Sequence, residues 1–184
     1  MTTDAFQKLG ERRARIGGRE VVIAGLCKGA GMICPNMATM LAFFMTDADI
    51  KAPLLSEALK SAVNASFNSI IVDNDTSTND TVLAFANGMS GAPEIKAGTK
   101  EFREFTALLT SLSVELAQMI VRDGEGATRL VEIEVKGALT PQDARSAVRT
   151  IAESFLCKTA FFGGDPNWGR VMAAIGRAGI RMKE

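Results

Sequence analysis

The chain has 184 residues, 47% of them hydrophobic, which suits a soluble globular piece with a sizeable core. Its 21 basic and 21 acidic residues cancel, so charge supplies no attraction toward nucleic acid or an anionic membrane. It has no His and no Tyr, which excludes the imidazole base of most Ser and Cys nucleophiles and any His-ligated zinc site.

In chain order, the basic run Glu11-Arg12-Arg13-Ala14-Arg15 is followed by no apolar core of a secretory signal and reads as exposed surface. No apolar stretch approaches the roughly 20 residues that cross a bilayer. Cys27, Cys34 and Cys157 are odd in number and lack CxxC spacing, so they read as reduced, buried thiols of a cytoplasmic protein. Residues 21–27 and 39–46 are apolar runs of strand length joined by a Gly/Pro-rich segment. Pro53 suits the first turn of a helix whose stripe is Leu55, Leu59 and Val63, with Leu54, Ala58 and Ala62 beside it.

Residues 69–72 read as a short buried strand entering a polar loop, 73–80. Asp73, Asp75 and Asp80 lack the twelve-residue calcium-loop pattern and are expected to cap turns, with no metal bound. Thr99 is placed to cap a long helix with a core face at Phe102, Phe105, Leu109, Leu112, Leu116 and Met119. Val131, Ile133 and Val135 alternate with Glu132, Glu134 and Lys136, the pattern of a strand with one wet face. Thr140-Pro141-Gln142-Asp143 opens a helix that turns Ala144, Val148, Ile151 and Phe155 inward. Residues 156–162 read as a strand feeding a loop and a last helix, with Val171, Met172 and Ile175 in the core. Asp165 and Pro166 would start that helix, and Trp168 is either a packing anchor or a substrate wall. With no linker or composition shift, the whole reads as one mixed α/β unit.

Without a histidine, a threonine hydroxyl is activated most simply by the α-amine of its own residue, once that residue begins a chain. Thr39 is the candidate, and cleavage of the Ala38-Thr39 bond is the requirement. The hydroxyl would attack the preceding carbonyl, shift the acyl group from nitrogen to oxygen and leave an ester for water. Gly29, Gly31 and Pro35 upstream permit the strained backbone this needs. The plain alternative is a β-branched strand residue.

Four segments carry a resemblance in the same order: residues 28–44 (KGAGMICPNMATMLAFF), 73–88 (DNDTSTNDTVLAFANG), 123–128 (DGEGAT) and 163–170 (GGDPNWGR). Together they closely resemble the ornithine acetyltransferase family, the bifunctional glutamate N-acetyltransferases of arginine biosynthesis. The resemblance implies an N-terminal-nucleophile-like αββα sandwich, a mixed α/β fold, here incomplete. It implies that residues 1–38 are the C-terminal part of an α chain and 39–184 the N-terminal part of a β chain, in a cytoplasmic heterotetramer. Thr39 then resembles the nucleophile, Lys28 a substrate-binding lysine and Glu125 a substrate-binding carboxylate. Read alone, Lys28 is a solvated strand-end lysine and residues 123–126 a turn.

The implied reaction moves acetyl from N2-acetylornithine to glutamate, with acetyl-CoA as an alternative donor and no cofactor or metal. Neither nucleic acid nor membrane is an expected partner. Asn74 departs from the family's usual Gly and is the non-Gly type that best tolerates a left-handed backbone. The family's oxyanion-hole Thr-Gly pair and its C-terminal substrate contacts have no counterpart among these residues. Two alternatives stay open: an N-terminal-nucleophile hydrolase, and an inactive unprocessed piece. Absent sheet neighbours would leave apolar faces exposed and favour aggregation.

Overall fold

The structure is a computed structural model and describes residues 3–34, 40–75, 77 and 79–181. The chain divides into two compact units, Met1–Ala127 and Thr128–Glu184, where composition alone suggests one. The division falls inside the DGEGAT segment, which carries no linker signature, so nothing in the sequence marks it.

The first unit is a four-stranded mixed sheet in the order β1 (Lys8–Ile16), β2 (Arg19–Lys28), β3 (Leu41–Thr46), β4 (Thr81–Ala86). β1, β2 and β3 pair antiparallel, whereas β3 and β4 pair parallel through a crossover containing α1 (Ala52–Ala65). The predicted strand over 21–27 is the central part of β2, and β3 (Leu41–Thr46) lies within the one predicted over 39–46, of which residue 39 is outside the described residues. β1 and β4 were not legible in advance. β1 hides because charge dominates it: Glu11, Arg13 and Arg15 point to solvent, and the inward positions are Lys8, Gly10, Arg12 and Ala14. Glu11, Arg13 and Arg15 of the basic run therefore form the wet face of an edge strand, where Arg13 pairs with Glu11 and Glu20.

α2 (Lys100–Arg122) matches its prediction, with the Thr99 hydroxyl oxygen accepting from Phe102 N at 3.2 Å. At 23 residues it is long enough to span a bilayer, contrary to the expectation for any stretch of this chain. Its three- and four-spaced Phe105, Leu109, Leu112, Leu116 and Ile120 are instead buried in the core. Gly10 and Gly25 let it approach the sheet: a Cβ on either would lie 2.7 Å from Leu112 Cδ1 or 2.9 Å from Leu116 Cδ1. α1 buries Leu55, Ala58 and Ala62, with Pro53 in its first turn as expected.

The opposite face of the sheet carries two open apolar rows beside the charges of β1. Leu9, Leu26, Phe43 and Leu83 stand in register, one per strand, beside a second row of Ala24, Met45 and Phe85. All of these except Phe43 and Ala24 are exposed.

In the second unit α3 (Pro141–Glu153), α4 (Phe155–Gly163) and α5 (Trp168–Gly176) surround a small core of Ile151, Cys157 and Ala174. Thr140 caps α3 as predicted, accepting from Asp143 N at 3.1 Å. Several expectations are corrected here. Residues 156–162 are helical: an apolar run of this length suits a strand or a helix, and the Ser154 cap on Cys157 N with left-handed Gly164 at the other end selects the helix. The 131–135 segment pairs with no strand among the described residues, and Val131 is exposed, because alternation names a face but supplies no partner. Residues 69–72 end a short 3₁₀ turn (Phe67–Ser69) and form no strand. Phe155, Met172 and Trp168 are exposed, and α5 is capped by Asn167, not Asp165.

Candidate functional site

β2 ends at Lys28, whose register partner is Leu41 at the start of β3. The glycine-rich loop therefore leaves and re-enters the sheet at one place, next to the predicted cleavage bond. Ala38 and Thr39 themselves lie outside the described residues, as does Pro35.

Two side chains and neighbouring backbone fix the described half of the loop. Asp4 Oδ1 accepts from Gly29 N at 2.8 Å, and Glu125 N donates to Ala30 O at 3.2 Å. Asp73 takes both following amides, Met32 N on Oδ2 at 2.6 Å and Ile33 N on Oδ1 at 3.1 Å. Val72 N then donates to Ile33 O at 2.8 Å. Met32 is forced to a φ of 53°, an unfavourable region for a residue with a side chain, by a carboxylate holding two consecutive amides. Asp73 also accepts from Asp75 N, and Asn74 takes the expected left-handed φ of 69°.

Lys28 and Glu125 converge on this loop. Glu125 Oε1 lies 3.3 Å, and Asp73 Oδ2 3.5 Å, from where a Cβ on Gly31 would stand, so glycine at 31 keeps room for both carboxylates. Gly124 is equally constrained, since its Cβ would meet Val72 Cγ1 at 2.9 Å. Lys28 is half-buried, and its charge is near enough to Asp4 and Asp80 to favour their charged forms. Among the described residues neither Lys28 nor Glu125 forms an ion pair.

Beneath them lies a network that sequence reading missed. Lys8 Nζ reaches Asp4 Oδ1 at 2.6 Å and Asp123 Oδ2 at 2.5 Å, with all three side chains under 5% exposed. Asp123 also accepts from Ala5 N. Burial pushes the Asp4 carboxyl up, but the Gly29 N–H and the Lys8 ammonium outweigh it and hold it below its ordinary value. Burial likewise pulls Lys8 down, and its hydrogen bonds to Asp123 and Asp4 reverse this. The network ties the residue after Lys28 to the residue two before Glu125. No residue type or spacing near Lys8 signals it.

The three thiols are buried, as expected. Burial pushes Cys27 up to about 12, and its Sγ lies 3.7 Å from Leu116 O, so it is a packing group and not a nucleophile.

Fold and loop thus define a mixed α/β protein with a strained, carboxylate-pinned glycine loop flanked by Lys28 and Glu125, neither of which forms an ion pair among the described residues. The chain matches the sequence model of the ArgJ family over residues 1–184 and belongs to that family. It is 54% identical over 181 residues to the arginine biosynthesis bifunctional protein ArgJ of Symbiobacterium thermophilum, covering 98% of this chain and 45% of that protein. The Listeria monocytogenes protein of the same name is 51% identical, with coverages of 98% and 46%. A Yarrowia lipolytica relative, named as mitochondrial, is 50% identical, with 99% and 42% covered. The crystal structure of the Bacillus halodurans arginine biosynthesis bifunctional protein argJ superposes with a TM-score of 0.74 at 42% identity, over 77% of this chain and 66% of that one. The chain spans less than half the length of the three curated relatives.

Proposed function

We propose that this chain supplies the nucleophile and part of the substrate site of an acetyltransferase that moves acetyl from N2-acetylornithine to glutamate. The observation carrying this reading is that Glu125 meets the pinned loop at Ala30 and Gly31, while Lys28, just before that loop, is the register partner of Leu41, two residues after Thr39 in sequence. Self-cleavage there frees the Thr39 amine to activate its own hydroxyl. Thr39 Oγ attacks the acetyl carbonyl, ornithine leaves with a proton on its nitrogen, and the acetyl ester is then attacked by the amine of glutamate. Lys28 holds a substrate carboxylate and Glu125 a substrate ammonium, which suits two amino-acid substrates sharing one site. Acetyl-CoA fits as a second donor. The proposal extends to an α chain ending at Ala38, a β chain beginning at Thr39, their heterotetramer and a cytoplasmic setting, although the Yarrowia relative is named as mitochondrial.

Two measurements test this. Intact mass should show two species meeting at Ala38/Thr39 that become one in Thr39→Ala. With labelled N2-acetylornithine, label should pass to glutamate; label appearing only as acetate would make the protein a hydrolase instead.

A further inference from the structure

The side chain of Lys8 is 0% exposed, and its ammonium touches Asp4 Oδ1 and Asp123 Oδ2 with the Phe6 ring centroid 5.0 Å away. A buried ion pair is often worth no more than apolar side chains of the same volume, so stability alone does not account for a lysine in this place. Its partners suggest what does. Asp4 Oδ1 also accepts from Gly29 N, the residue after Lys28, and Asp123 ends α2 two residues before Glu125. Glu125 N donates to Ala30 O, which closes a ring of contacts running from Lys8 through Asp4, the glycine loop, Glu125 and Asp123 back to Lys8.

The charges in this ring do not balance. Two carboxylates share one ammonium, which leaves one negative charge in excess. Burial pushes the Asp4 carboxyl up, and against it the Gly29 N–H, the Lys8 ammonium and last the charge of Lys28 hold it below its ordinary value. Lys28 is thus the other side chain whose positive charge acts on Asp4. Were Lys8 neutral, the excess would double in a place where an unpaired carboxylate is costly, and Lys28 would be drawn toward it.

We propose that Lys8 is a positioning residue for the substrate site: by occupying Asp4 and Asp123 it leaves the Lys28 ammonium for a substrate carboxylate, beside Glu125 for the substrate amine. The assignment rests on Lys28 and Glu125 binding the substrate. Lys8 itself is buried and acts only through the groups above it. With Lys8 gone, Lys28 turns back to Asp4, and a substrate carboxylate must compete with a fixed one for the same ammonium. That competition weakens ground-state and transition-state binding alike, so it raises KM and leaves kcat.

The test is steady-state transfer of labelled acetyl from N2-acetylornithine to glutamate by the full-length protein, with rates referred to the folded fraction measured by CD. Lys8→Met should raise KM for N2-acetylornithine about tenfold or more with kcat within about threefold, the effect of losing one hydrogen bond to a charged group. Adding Asp4→Asn removes the second excess charge and keeps an oxygen for the Gly29 N–H, and should return KM to within about threefold of wild type. An unchanged KM in Lys8→Met, with or without a fall in kcat, makes Lys8 a structural residue and overturns the proposal while leaving the substrate reading intact. A raised KM that Asp4→Asn does not correct overturns it equally. Should Lys8→Met not fold, Lys8→Gln, which offers a donor without a charge, is judged by the same ratios. A wild-type protein that passes no label to glutamate overturns the substrate reading and the positioning role together.

Discussion

Replacing Lys8 by Met removes the charge between Asp4 and Asp123 while keeping most of the side-chain volume. The two carboxylates are left 3% and 4% exposed with no cation between them, having previously shared an ammonium at 2.6 and 2.5 Å. Breaking a buried ion pair from one side costs about 3 to 5 kcal/mol, because desolvation of the remaining charge is no longer offset. Asp4 keeps the Gly29 N–H and Asp123 keeps the Ala5 N–H, which places the expected loss near the lower limit, about 3 kcal/mol. Urea denaturation at pH 7 followed by far-ultraviolet CD measures it. A loss below about 1 kcal/mol would refute the reasoning, since that is the value of a solvated surface pair.

The same network has a defined pH signature in the wild-type chain. Asp4 titrates below its ordinary 3.8 when folded, so its contribution is present above that value and is lost as pH falls through the folded pKa. Lys8 titrates above its ordinary 10.5, so its contribution is present below that value and is lost as pH rises through the folded pKa. Lys8→Met removes the alkaline limb and should make the variant relatively more stable in mild acid, where Asp4 can take up a proton.

Two further outcomes follow from packing. Gly25→Ala would set a methyl 2.9 Å from Leu116 Cδ1 and from two ring carbons of Phe44, all in side chains at most 1% exposed, and should cost about 1 to 3 kcal/mol by overpacking; a neutral or stabilising result in a denaturant melt would mean α2 can lift off the sheet. Iodoacetamide at pH 8 should leave Cys27 unmodified in the folded chain and modify it in urea; rapid native labelling, read by mass, would show that β2 and α2 open readily.

How much of this was legible depended on how local each signal is. The caps at Thr99 and Thr140 and the left-handed Asn74 were readable because each is settled within three or four residues. The central strands and α2 were readable because a run of apolar side chains has one periodicity over its length. Segment 156–162 was misread because seven residues of mainly apolar character do not distinguish the two periods, and the deciding caps lie just outside it. The segment at 131–135 was misread because a strand exists only with a neighbour to bond.

The sequence by itself determined the family, through four ordered motifs, and the candidate residues Lys28, Thr39 and Glu125 on them. Motif chemistry is linear, so it survives without coordinates. Only the tertiary structure decided what holds those residues: that Lys28 faces Leu41 across the sheet, that Glu125 and Asp73 share the space beside Gly31, and that Lys8, 115 positions from Asp123, is buried against it. A buried charge is the least predictable residue from sequence, because its partners are chosen by folding and its composition looks like surface.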